Sequence, residues 1–304
     1  MSEEIITQKE LSQARQDAFL GEMNVLKMSW WKELSKLTGA YDSVTVLRSF
    51  IEAMFYLMQP EYGYKAVQEI PCFTGNDQDK RMRVLQRAML LLGEAMEVNR
   101  FVDVLGAADQ AIRGKSSQDG TGAFYTPTSV CEAMADCNQD AHILEKFERG
   151  ERVYVNDPTV GAGRTLLAFC KLHQKHLELI RAVGTDIEIN AVRMFFVNCA
   201  LNGIAAECVH GNELHREAWA TYYTPEWKIY EQDYRLKKKV EQMMAILEAT
   251  PQPTAETQQE PQEEPEAPKP DNSTPQGENA PVEATEREKM DVTIQADGQM
   301  TFNL

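Results

Sequence analysis

Between residues 40 and 100 apolar side chains recur every three or four positions: Leu47, Phe50, Ile51, Met54, Phe55 and Met58, then Met82, Leu85, Met89, Leu92 and Met96. That period puts each set on one stripe of a helix. Interruptions at Gly39, 60–63 and 71–79 divide residues 1–105 into several helices. Stripes of Met and Leu at this spacing fill a core, so this helical N-terminal domain carries structure rather than chemistry.

From Val153 the pattern changes to short apolar runs alternating with helical ones. Residues 153–156 predict a strand, 165–179 a helix, 181–186 a second strand, 191–201 a helix and 206–210 a third strand. Such alternation implies right-handed crossovers and a partial parallel sheet, with ligands at the strands' carboxyl ends. Residues 219–223 read as a further strand and 234–247 as one charged helix. The domain division expected is 1–105, 106–249 and a tail, 250–304.

The tail is set apart by composition. Residues 251–290 hold 8 of the 13 prolines and no aromatic residue, too little apolar surface to offset the entropy of ordering, so a disordered linker is expected. At its end, alternating apolar residues flank Asp297-Gly298, the signature of a hairpin that would order on a protein partner. The segment 297–302 also resembles a bacterial sliding-clamp-binding peptide, with Phe302 as its aromatic anchor and the leading Gln absent.

Charge narrows the function. The 304 residues carry a net −16; residues 251–304 hold 12 acids and 3 bases, leaving 35 acids and 28 bases in the rest. A broad nucleic-acid-binding surface is therefore not expected, because such affinity rests on Lys and Arg at phosphates. Arg235, Lys237, Lys238 and Lys239 form the one basic cluster, read as a solvated helix face. The six cysteines show no C-x-x-C pair, and His173 and His176 lack a third ligand, so reduced thiols, surface histidines and no metal are expected. No apolar run is long enough to span a bilayer and the N-terminus has no basic start, which points to a cytoplasmic protein without a membrane partner.

The strongest local signal is Asp157, Pro158, Gly161 and Gly163, directly after a predicted strand and opening a helix. Glycines there let backbone approach a ligand, and the helix start offers free N–H groups. Asp186 closes the second strand, where a carboxylate can accept both hydroxyls of a ribose. Together they point to a nucleoside-containing cofactor.

In chain order, 103–106 (Asp-Val-Leu-Gly), 122–127 (Gly-Ala-Phe-Tyr-Thr-Pro), the 157–163 loop, 184–187 (Gly-Thr-Asp-Ile), Asn198, 202–204 (Asn-Gly-Ile) and Gly211-Asn212-x-Leu214 resemble one family over about residues 100–215. It is the modification subunit of type I restriction systems, with related adenine-N6 DNA methyltransferases. The resemblance implies a Rossmann-like methyltransferase fold that binds S-adenosylmethionine. It assigns Phe124, Tyr125, Thr126 and Pro127 to the cofactor's methionine end, and Asp157, Pro158, Gly161 and Gly163 to the loop beneath it. Asp186 falls to the ribose, Ile187 to the adenine ring and Asn212 to the adenine edge. It also implies DNA as a partner, reached through a recognition subunit.

The chain departs from the family where the reaction occurs. Family members hold a flipped adenine with Asn-Pro-Pro-Tyr or Asn-Pro-Pro-Phe after the fourth strand, and this sequence has no Pro-Pro pair. The nearest stand-in is Thr224, Pro225 and Trp227 in Thr-Pro-Glu-Trp, but a hydroxyl lacks the paired geometry of an amide. The fourth to seventh strands of the family also have no sequence here to form them. Two readings follow: an adenine-N6 DNA methyltransferase subunit completed by a partner, or an inactive binding or scaffold protein, for example in anti-restriction or assembly.

Overall fold

The computed structural model describes residues 6–121, 126–138, 140–249, 292–294 and 300–302. The N-terminal helices are α1 (Gln8–Asp17), α2 (Ser29–Leu34), α3 (Ser43–Leu57), α4 (Gly63–Gln68), α5 (Gln78–Val98) and α6 (Val104–Thr121). Local chemistry sets their starts: Thr7 and Glu10 form a reciprocal capping box on α1, and the Asp42 carboxylate accepts the Thr45 N–H at the head of α3. Both apolar stripes face inward. Leu47, Phe50, Ile51, Met54 and Phe55 of α3 and Met82, Leu85, Leu92 and Met96 of α5 are buried, with Met58 and Met89 packed against them.

Two shorter helices, α7 (Thr128–Cys137) and α8 (Ala141–Glu148), lead into β1 (Val153–Asp157), α9 (Arg164–Leu172), β2 (Ile180–Asp186), α10 (Ile189–Leu201) and β3 (Ala206–Asn212). The sheet order is β1-β2-β3-β4, with β1 parallel to β2 and β2 parallel to β3. The predicted strand at 219–223 forms as β4 (Glu217–Tyr223). It turns back antiparallel on β3, with a bulge at His210/Gly211.

Successive right-handed crossovers place α9 and α10 on one face of the sheet. Phe195 of α10 lies so close to Gly184 of β2 that a Cβ there would approach the ring to 2.5 Å. Phe196 packs edge-on against Phe55 of α3, 4.9 Å between centroids. The helical segment and this face of the sheet thereby share one hydrophobic core.

After β4 comes α11 (Pro225–Ala249). Its first turns are pinned to the sheet: Glu231 accepts Arg181 Nε of β2 at 3.1 Å, and the Tyr230 hydroxyl donates to the Gly203 carbonyl at 3.0 Å. Residues 1–250 form one compact unit and 251–304 another. The linker 251–290 lies outside the described residues. In the second unit, β5 (Val292–Ile294) pairs antiparallel with β6 (Met300–Phe302); the intervening Asp297-Gly298 lies outside the described residues.

Candidate cofactor site

Beneath the carboxyl ends of β1 and β2 lies a buried ion pair. Asp103, just before α6, accepts the Gly106 N–H at 2.7 Å and Asn198 Nδ2 of α10 at 2.9 Å through Oδ1. Its Oδ2 accepts Arg164 Nε at 2.7 Å. Asn198 Nδ2 also donates to the Ala162 carbonyl at 2.9 Å. Burial pushes the Asp103 carboxyl above its ordinary range, while the Arg164 charge and the three donors pull it back. The motif at 103–106, the glycine loop and Asn198 are therefore one cluster.

Two glycines make that cluster compact. A Cβ on Gly106 would run into the Asp103 carboxylate and come within 2.6 Å of the Ala162 methyl. Gly163, at φ +91°, heads α9, and a Cβ there would collide with the Phe195 ring. The bare Cα of Gly163 is thus turned toward Phe195 of α10 rather than into open space.

Above this floor stand the strand ends. Asp186 Oδ2 accepts the Gly161 N–H at 2.9 Å and Oδ1 accepts the Glu188 N–H at 2.9 Å, so one carboxylate fastens the loop after β1 to the end of β2. Each oxygen keeps a second lone pair for a hydroxyl. Next to it Ile187 is 65% exposed among the described residues and offers an apolar surface. His210 Nε2 lies 3.2 Å from the Ile187 carbonyl, and Trp219 of β4 meets the His210 ring edge-on at 5.0 Å. Asn212 closes β3, its Oδ1 accepting the His215 N–H at 3.3 Å.

Asp157 Oδ1 accepts the Thr159 N–H at 3.0 Å, and its Oδ2 accepts the Thr165 hydroxyl. Pro158 is exposed in the turn between them. A cavity of about 50 Å³ separates this loop from Thr126, lined also by Val160, Gly161 and Arg164. A larger cleft of about 970 Å³ follows β1 between α7 and α8 and borders the site at Asp157 and Thr165. Thr126 and Pro127 lead into α7; Phe124 and Tyr125 lie outside the described residues.

Sequence reasoning missed two residues. Arg164 reaches the Thr126 carbonyl at 3.3 Å and stands 3.6 Å from Glu22, whose other oxygen accepts the Thr128 hydroxyl. A cation at the first position of a helix opposes the helix dipole, and that misplacement was the available signal that Arg164 has acidic partners. Glu22 had no signal of its own.

Thr224, Pro225 and Trp227 are not at this site, which corrects the expectation of a catalytic stand-in. Thr224 is completely buried; its hydroxyl accepts the Ala206 N–H at 2.9 Å and donates to the Ile204 carbonyl at 2.8 Å. Ala206 opens β3 and Asn212 closes it, so the segment sits at the opposite end of the strand, about 20 Å away at roughly 3.3 Å per residue. Pro225 and Trp227 begin α11 there.

The histidines also depart from expectation. His173 is buried against Phe147 and Phe169, and burial, then His176, lowers its pKa from 6.5; the His176 ring is stacked on Phe147 at 4.6 Å. All six cysteines are free, and burial pushes the Cys170 thiol up to about 12. Among the described residues no helix is long and apolar enough to cross a membrane.

Residues 103–251 match the family model described as N-6 DNA methylase. No curated protein matches the chain. A solved structure of the methyltransferase subunit of a type I restriction-modification system from Streptococcus thermophilus is similar at 16% identity with a TM-score of 0.29. The match covers 60% of this chain and 37% of that one.

Proposed function

We propose, on the match of residues 103–251 to the N-6 DNA methylase family model, that this chain binds S-adenosylmethionine at the carboxyl ends of β1, β2 and β3. The observation that carries this reading is the Asp186 carboxylate, which holds Gly161 and Glu188 by their N–H groups beside the exposed Ile187. The donor set fits a nucleoside: an anionic acceptor pair for a ribose diol, an apolar surface for a purine face, and Asn212 for its polar edge. When bound, the cofactor supplies an electrophilic methyl group on a sulfonium. The chain's own part is to fix the loop at 157–163 through Asp157 and Asp186, and to hold Thr126 against it through Arg164.

The acceptor side of the reaction is not assembled in the same way. An adenine amine needs oxygen acceptors and a stacking ring at the carboxyl ends of the strands, whereas Thr224 and Trp227 stand at the other end. We therefore assign DNA methylation to a complex in which a partner supplies adenine recognition and the contact to DNA. The placement of Thr224 equally favours a second reading, in which the cofactor pocket is kept for binding or scaffolding without transfer. Incubating the purified chain with DNA and methyl-labelled S-adenosylmethionine tests both: no transfer is expected from the chain alone, and robust transfer would overturn the assignment.

A further inference from the structure

α11 leaves the body of the molecule partway along its 25 residues. Its first part is anchored through Tyr230, Glu231 and Tyr234, whose ring lies beneath the Arg152 guanidinium at 4.2 Å. From Arg235 to Ala245 every residue is exposed except Lys238, which is partly covered. A helical projection of this length is marginal in water without tertiary packing.

Its sequence is not that of a solvated helix. Leu236 is 62% exposed, Val240 49% and Met243 55%, and the spacing of four, three and four residues through Leu247 is that of alternating core positions in a heptad. On a helical projection Lys239 flanks this seam on one side and Lys237 on the other, and Met244, 51% exposed, widens it on the Lys237 side.

We propose that the projecting half of α11 is a docking helix for an amphipathic helix of a partner protein, paired as a coiled coil whose flanking positions on the partner are acidic. The basic border selects that partner, because flanking charges set partner choice in such pairs. A second copy in parallel would bring the same two lysines to one level. A lipid surface is disfavoured because this face carries no aromatic residue of the kind that anchors interfacial helices.

The test uses the full chain and a synthetic four-heptad peptide with Leu at the core positions and Glu at the flanks, followed by calorimetry and sedimentation. The expected result is a 1:1 complex, weakened at least about tenfold by Leu236→Asp with Val240→Asp, and equally by a peptide with Lys at the flanks. Both substitutions are at exposed positions, and unchanged near-ultraviolet circular dichroism and cofactor binding would show an intact body. No complex, a complex indifferent to the substitutions or to the peptide's charge, or self-association of the chain through this seam would overturn the proposal. So would binding to phosphatidylserine vesicles lost in the same variant.

Discussion

At the scale of single residues, the site depends on groups with no freedom to change size or charge. Gly106→Ala places a methyl group on the Asp103 carboxylate and the Ala162 side chain. The variant is expected to lose about 1–3 kcal/mol of stability, as overpacked positions do, in a urea melt, and to bind S-adenosylmethionine more weakly because the glycine loop shifts. His173 gives a pH dependence. Its folded pKa lies below the ordinary 6.5 because the buried ring resists charging, so the unfolded chain takes up the proton first. The contribution is complete above 6.5 and declines as pH falls below it; His173→Phe is expected to flatten that part of the stability profile. The position of Asp157, Gly161 and Asp186 at the carboxyl ends of β1 and β2 was legible because they follow predicted strands at turn positions, and Ile187 and Asn212 were singled out by the family resemblance. The burial of His173 was not, since its two aromatic neighbours lie on different elements, Phe147 at the end of α8 and Phe169 on α9.

Among elements, the contrast is between the start and the end of β3. Strand alternation placed β1, β2 and β3 correctly, because parallel crossovers have one hand and one ligand-binding end. It could not give the direction of β4, which is set by a tight turn at 213–216 and the His210/Gly211 bulge rather than by hydrophobic period. That reversal carries Thr224 to the amino end of β3, where its hydroxyl joins β3 to α11. Thr224→Val is expected to cost about 1–3 kcal/mol, since it leaves the Ala206 N–H and the Ile204 carbonyl unpaired in the interior. Denaturant melts should register that cost while calorimetry shows cofactor affinity unchanged. A loss of affinity with stability intact would return this segment to the site.

At the scale of the whole molecule, residues 1–250 join helices and sheet through a common core, and the ion pair of Asp103 with Arg164 lies beneath the carboxyl ends of β1 and β2. The family resemblance was readable because its motifs occur in order over about residues 100–215, and the matching region, 103–251, extends through α11. What no pattern revealed was how the motifs meet: Asp103 and Asn198 are 95 residues apart in the chain and 2.9 Å apart in space. The central claim is that this end of the sheet is a cofactor pocket organised by Asp186. Calorimetric titration of the full chain with S-adenosylmethionine and its demethylated product, beside Asp186→Ala, tests it most directly. Saturable 1:1 binding to the parent chain that is lost in a folded Asp186→Ala variant is the predicted result; no binding to the folded parent, or equal binding to the variant, would contradict it.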